Sequence, residues 1–162
     1  MTVLAQYVAD VASSYRNLVE TVFSSTIAAK AWLASVALLL AIIQIITAAR
    51  LYGRLAGVVP LSAKTVAKVH RWSGRLAILI SLPVVFHCVF ILGFQTSDAR
   101  VLTHSLVGTF FYGVFAAKMV IVKNHGFPGW ALPVAGGVLF TALVVLWATS
   151  SFWYFTEVRF GL

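Results

Sequence analysis

Carboxylates are nearly absent from this chain. Four acids, Asp10, Glu20, Asp98 and Glu157, stand against twelve lysines and arginines, and none of the four lies inside a long apolar run. That excludes a transporter that moves protons or sodium on intramembrane carboxylates. Cysteine is scarcer still: a single Cys88 rules out an internal disulfide, a Cys-x-x-Cys-His attachment of covalent haem and a cysteine-based metal cluster. There is no Gly-rich phosphate loop, no flavin or nicotinamide fingerprint and no hydrolytic triad. No charged start, short apolar core and small-residue cleavage site opens the sequence, so insertion is expected to use the first membrane helix.

What the chain does have is apolar residues, 61% of the 162, with 10% charged and a mean hydropathy of +0.98. Hydrocarbon offers no hydrogen bonds to a backbone, so spanning segments must be helices or a closed barrel, and long apolar runs without period-2 alternation select helices. The expected fold is an all-α membrane protein, a four-transmembrane-helix bundle with spans at about 27–51, 66–94, 101–122 and 131–155. Residues 1–26 are too polar to span, yet Leu4, Tyr7, Val8, Val11, Tyr15, Leu18 and Val22 recur at helical spacing, which predicts an amphipathic helix lying on the membrane surface ahead of the 27–162 bundle. The net charge of +8 does not point to nucleic acid, because the basic residues concentrate beside the membrane spans. Loops 52–65 and 123–130 carry that excess and should be cytoplasmic, with both termini outside, as in the plasma membrane of a bacterium.

All four histidines fall on the second or third span or its edge. His70 and His87 lie 17 residues apart, about 25 Å along a helix axis. The next helix runs back, from His104 to His125. Antiparallel helices therefore bring His87 and His104 to one depth and His70 and His125 to another. Imidazole is the common axial ligand of iron porphyrin, and an electron-transfer site needs one on each face of the ring. Two haems b, one per leaflet, with the four histidines as iron ligands, would make an electron path across the membrane. His104, Phe111, Lys118 and His125 recur every seven residues and share one stripe. His70 and His87 are about 100° apart on a straight helix, and Pro83 between them offers a kink that would re-aim His87. Gly74 and Gly108 each follow a histidine by four residues, where a glycine lets a flat ring approach. Arg71, Arg75 and Lys118 near the inner pair, and Arg100 near the outer one, are candidate propionate partners, and Gly136 and Gly137 suit close approach to a neighbouring helix.

The His-Arg-Trp-Ser-Gly-Arg-Leu opening of the second span, with the paired depths, resembles small b-type cytochromes of the cytochrome b561 and ferric-reductase-like class, over about residues 66–126. The resemblance implies haem b and electron transfer across a membrane, as a component of a quinol- or metal-linked oxidoreductase, with a membrane quinone, a redox partner protein and other membrane subunits as partners beside lipid. The chain departs from the class. Cytochrome b561 proteins distribute ligands over four helices, and ferric reductases space two histidines more closely on each of two. Here two helices joined by a short loop carry all the ligands, and a porphyrin between them would force them wider than the usual 8–10 Å contact. Two other readings stand beside this one. One is a haem-free assembly or accessory subunit whose histidines serve packing; the other is a single-haem anchor using His87 and His104 alone.

Overall fold

A computed structural model describes residues 3–55, 57, 58, 60–124 and 126–159. Helix α1 spans Val3–Glu20, α2 Thr26–Leu51, α3 Ala63–Phe86, α4 Ala99–Lys123 and α5 Ala131–Trp147, and no strand occurs among the described residues. A π-helical stretch, His87–Leu92, prolongs α3, and two more, Ala148–Phe152 and Tyr154–Arg159, prolong α5. The four apolar helices so formed are 26, 30, 25 and 29 residues long. Each exceeds the roughly 20 residues that a bilayer core requires. The protein is an integral-membrane, all-α protein with the expected four spans.

Local chemistry sets the helix ends. Ser25, Ser62 and Asp98 are extended at the starts of α2, α3 and α4, and their side chains accept from the backbone N–H groups of Ala28, Thr65 and Val101. Pro83 has no N–H to give the preceding turn, and the helix widens to π geometry four residues later. That stretch ends at Gly93, whose φ of 69° suits a residue without Cβ. In α5 the hydroxyls of Thr149 and Ser150 bond back to the Val145 and Leu146 carbonyls at 2.8 and 2.7 Å, which loosens the helix where its π stretch begins.

The interior is built from small residues. Ala28, Ala29, Ala31, Ala37, Ala41 and Thr47 form the buried seam of α2, and Ala131, Ala135 and Ala142 that of α5. Leu39, Leu79, Phe90 and Phe110 point outward. Small residues inside and large ones outside let helix backbones approach while hydrocarbon covers the exterior. Gly136 and Gly137 take no part in this: a Cβ on either would meet nothing within 4 Å, so the close approach expected of them is not made within the chain.

Packing runs α3–α2–α5–α4, and α3 and α4 form no extended interface with one another. The two histidine-bearing helices therefore stand across the bundle, as a bulky occupant between them would require. Among the described residues a hydroxyl pair joins them, Ser81 Oγ and Tyr112 Oη, 3.0 Å apart. One end of the bundle carries the basic connections after α2 and α4 (the basic end), and the other carries α1, the α3–α4 loop and the end of α5 (the far end).

Candidate functional site

Between α3 and α4, in the far-end half, lies a cavity of about 590 Å³ walled by all four spans. That falls within the roughly 300–1,000 Å³ of cofactor and small-molecule sites. His104, Gly108 and Phe111 of α4 line it, facing Val84 and Cys88 of the α3 span. Lys30 of α2 and Arg100 of α4 bring two cations to its wall, and no carboxylate lines it. Arg100 is fixed in place, donating to the Thr149 carbonyl at 2.8 Å while its guanidinium lies 4.2 Å over the Trp153 ring.

Thr149 also positions His104. Its Oγ1 lies 3.0 Å from His104 Nδ1 and 2.8 Å from the Val145 carbonyl. A hydroxyl has a single proton. With that proton directed at the carbonyl, the oxygen is placed to accept from Nδ1–H. Nearer the basic end the same arrangement recurs. Thr47 Oγ1 of α2 lies 2.8 Å from His70 Nδ1 and donates to the Ile43 carbonyl at 2.6 Å. Both histidines are thus oriented by a threonine hydroxyl at Nδ1, and each ring also bonds a backbone group, Gln44 for His70 and Leu146 for His104.

The remaining expected residues divide. Lys118 is half-buried on α4 and within electrostatic reach of His70, so these two share the basic-end half. Gly108 has open space, with Leu146 Cδ2 3.7 Å from where a Cβ would stand. Gly74 does not offer a face to a flat ring: its side is filled by the Gln44 amide, 3.1 Å from the Cβ position, which donates to the His70 carbonyl and to Ser73 Oγ. Arg71 and Arg75 are exposed, and Arg75 lies 5.3 Å over the Trp72 ring. His125 lies outside the described residues.

His87 departs most from expectation. It is buried, but it does not line the cavity; its ring lies 5.3 Å from that of Tyr15 on α1, and its Nδ1 has no hydrogen-bond partner. The widened turn after Pro83 keeps His87 turned toward α1 and leaves Cys88 facing the cavity, so the structure does not bring His87 and His104 together. Tyr15 ties α1 down by donating to the Pro83 carbonyl at 3.0 Å. Burial, with a smaller contribution from Cys88, holds its phenol above the ordinary tyrosine range, so it remains a neutral donor.

The whole chain, residues 1–162, matches the sequence profile of a family of unknown function, DUF6529. The protein belongs to that family. No curated protein and no solved structure matches it. What this DUF6529 chain does must therefore be argued from its own groups. Lys30, Thr47 and Thr149 are the ones that histidine spacing alone passes over. Lys30 carries a readable signal, a cation within an apolar span far from any acid; the threonines become relevant only once the helices that carry them are packed.

Proposed function

We propose that this DUF6529 protein is a membrane b-type cytochrome that relays single electrons through the bundle. The reading rests on one repeated observation: His104 and His70, toward opposite ends of the bundle, each have Nδ1 within hydrogen-bond distance of a back-bonded threonine hydroxyl. Haem would supply the one-electron iron couple, and histidines are the residues that would hold it. The donor set fits. His104 lines a cavity of cofactor size, and Lys30 and Arg100 supply cations that suit the propionates of an otherwise apolar ring. His70, with Lys118 within reach, is the equivalent group nearer the basic end.

In this reading each side chain has a defined task. His104 and His70 would hold the iron; Thr149 and Thr47 restrain their rings; Lys30, Arg100 and Lys118 would neutralise the propionates in a medium where unpaired charge is costly. The apolar walls keep water away. Donor and acceptor are a quinone within the bilayer or partner proteins at its faces, which places the chain beside or within a larger redox complex. The positive-inside rule puts the basic end in the cytoplasm.

The test is the reduced-minus-oxidised visible spectrum and the haem-to-protein ratio of detergent-purified protein made under haem-replete conditions. Sharp b-type bands are expected in the wild type, with His104→Ala removing the far-end haem and His70→Ala the other. A His87→Ala variant that loses the same bands as His104→Ala adds His87 as a ligand reached by turning its ring; retention leaves His104 as that site's histidine. Colourless wild-type protein overturns the proposal.

A further inference from the structure

On the lipid-facing side of the α2–α3 pair, toward the basic end, runs a shallow groove of about 360 Å³. Leu40 and Ile43 form one wall, and Lys68, Val69, Trp72 and Leu76 form the other. Ser73 at its floor is already satisfied: its Oγ donates to the Val69 carbonyl at 2.8 Å and accepts from Gln44 Nε2 at 2.7 Å. An occupant therefore meets carbon along the groove. From Lys68 to Leu76 is eight residues, about 12 Å along the helix axis.

The mouth of the groove differs in character. Lys68 stands at the end nearer the start of α3, and Lys64 and Arg71, four residues before it and three after, share its helical face. All three are exposed. No acidic residue occurs anywhere from residue 21 to 97. Trp72, half exposed beside Lys68, is the kind of amphipathic ring that sits where headgroups meet hydrocarbon. A channel of carbon leading from three uncompensated cations complements a molecule with an anionic head and an acyl tail. The bilayer itself supplies that molecule.

We propose that the α2–α3 groove is a specific site for an anionic phospholipid, with the phosphodiester at Lys64, Lys68 and Arg71 and one acyl chain lying along Leu40, Ile43 and Leu76. General attraction of a basic protein surface to acidic lipid predicts no such geometry. The two differ in what position-matched charge removal does. The occupant covers the seam that holds His70, through Ser73 and Gln44, and so shields it from other lipids.

Native mass spectrometry of the full-length protein, released from detergent in the presence of phosphatidylglycerol or phosphatidylcholine, tests the proposal. One phosphatidylglycerol per chain should survive at collision energies that strip phosphatidylcholine. Lys68→Gln with Arg71→Gln should weaken retention by about thirtyfold. Arg54→Gln with Lys123→Gln removes equal charge away from the groove and should leave retention unchanged. Val69→Trp, which fills the groove without altering charge, should also lose the lipid; gel filtration and circular dichroism establish that each variant is folded. Equal losses in the two charge pairs, or equal retention of both lipids, overturn the site.

Discussion

At the scale of single residues, the site depends on two hydroxyls more than on the charges around it. Thr149 pairs its hydroxyl with His104 Nδ1, bonds back to the Val145 carbonyl of α5, and uses its own backbone carbonyl to hold Arg100. Thr149→Val keeps the shape and removes the hydroxyl beside His104 Nδ1. Interhelical hydrogen bonds of this kind contribute about 0.6 kcal/mol on average in membranes and up to about 1.7. Thr149→Val should lower stability within that range in denaturant titrations of the micelle-bound protein, and Thr149→Ser should restore it. Where haem is bound, the same valine should shift its reduction potential while Thr149→Ser should not, which separates orientation of the ring from simple packing. The histidines were legible as points along the chain, since spacing and helix reversal assign each a depth. Their facing was not, because a threonine on a neighbouring helix turns His70 and His104, whereas Tyr15 on α1 engages His87. Gly74 illustrates the same limit: its spacing from His70 suggests room for a ring, and Gln44 of α2 fills that room.

At the scale of the element, helix existence was legible because hydrocarbon leaves the backbone no alternative, and the four spans start and end within a few residues of the hydropathy boundaries. The π stretches were less so, since Pro83 and the Thr149–Ser150 pair announce a disturbance without fixing its geometry. The α4 cap emerges from the structure: Asp98 precedes the apolar run, and its carboxylate accepts the Val101 N–H at 2.9 Å. That bond is the main reason its pKa lies below the usual carboxylate value, with Arg100 contributing less. A depressed folded-state pKa means that the charged cap stabilises the helix start above the unfolded pKa and is lost as pH falls through the folded one. The Val101 amide should therefore exchange faster, relative to its intrinsic rate, on acidification through the carboxylate range. Asp98→Ala should show that faster exchange at every pH, and Asp98→Asn, which caps without titrating, should show a rate ratio independent of pH.

At the scale of the whole molecule, charge is segregated more sharply than the +8 total conveys. Arg50, Arg54, Lys64, Lys68, Arg71, Arg75, Lys118 and Lys123 lie toward the basic end with no acid, so that end alone carries the full +8; toward the far end, Arg16, Lys30, Arg100 and Arg159 are balanced by the four acids. Four spans put both termini on one side, and cations near span ends are retained in the cytoplasm. The far end, with its cavity and His104, should then face outward. Single cysteines in a Cys88→Ala background check this: Thr96→Cys lies in the α3–α4 loop, and Gly57→Cys, with nothing within 4 Å of its Cβ position, lies in the basic connection. An impermeant maleimide should label Thr96→Cys in intact cells and Gly57→Cys only after permeabilisation. The reverse pattern would place the His104 cavity at the cytoplasmic face. The reach of the two histidines across the bilayer would be unchanged, but an external electron partner would then meet His70 first, behind the eight cations of the basic end.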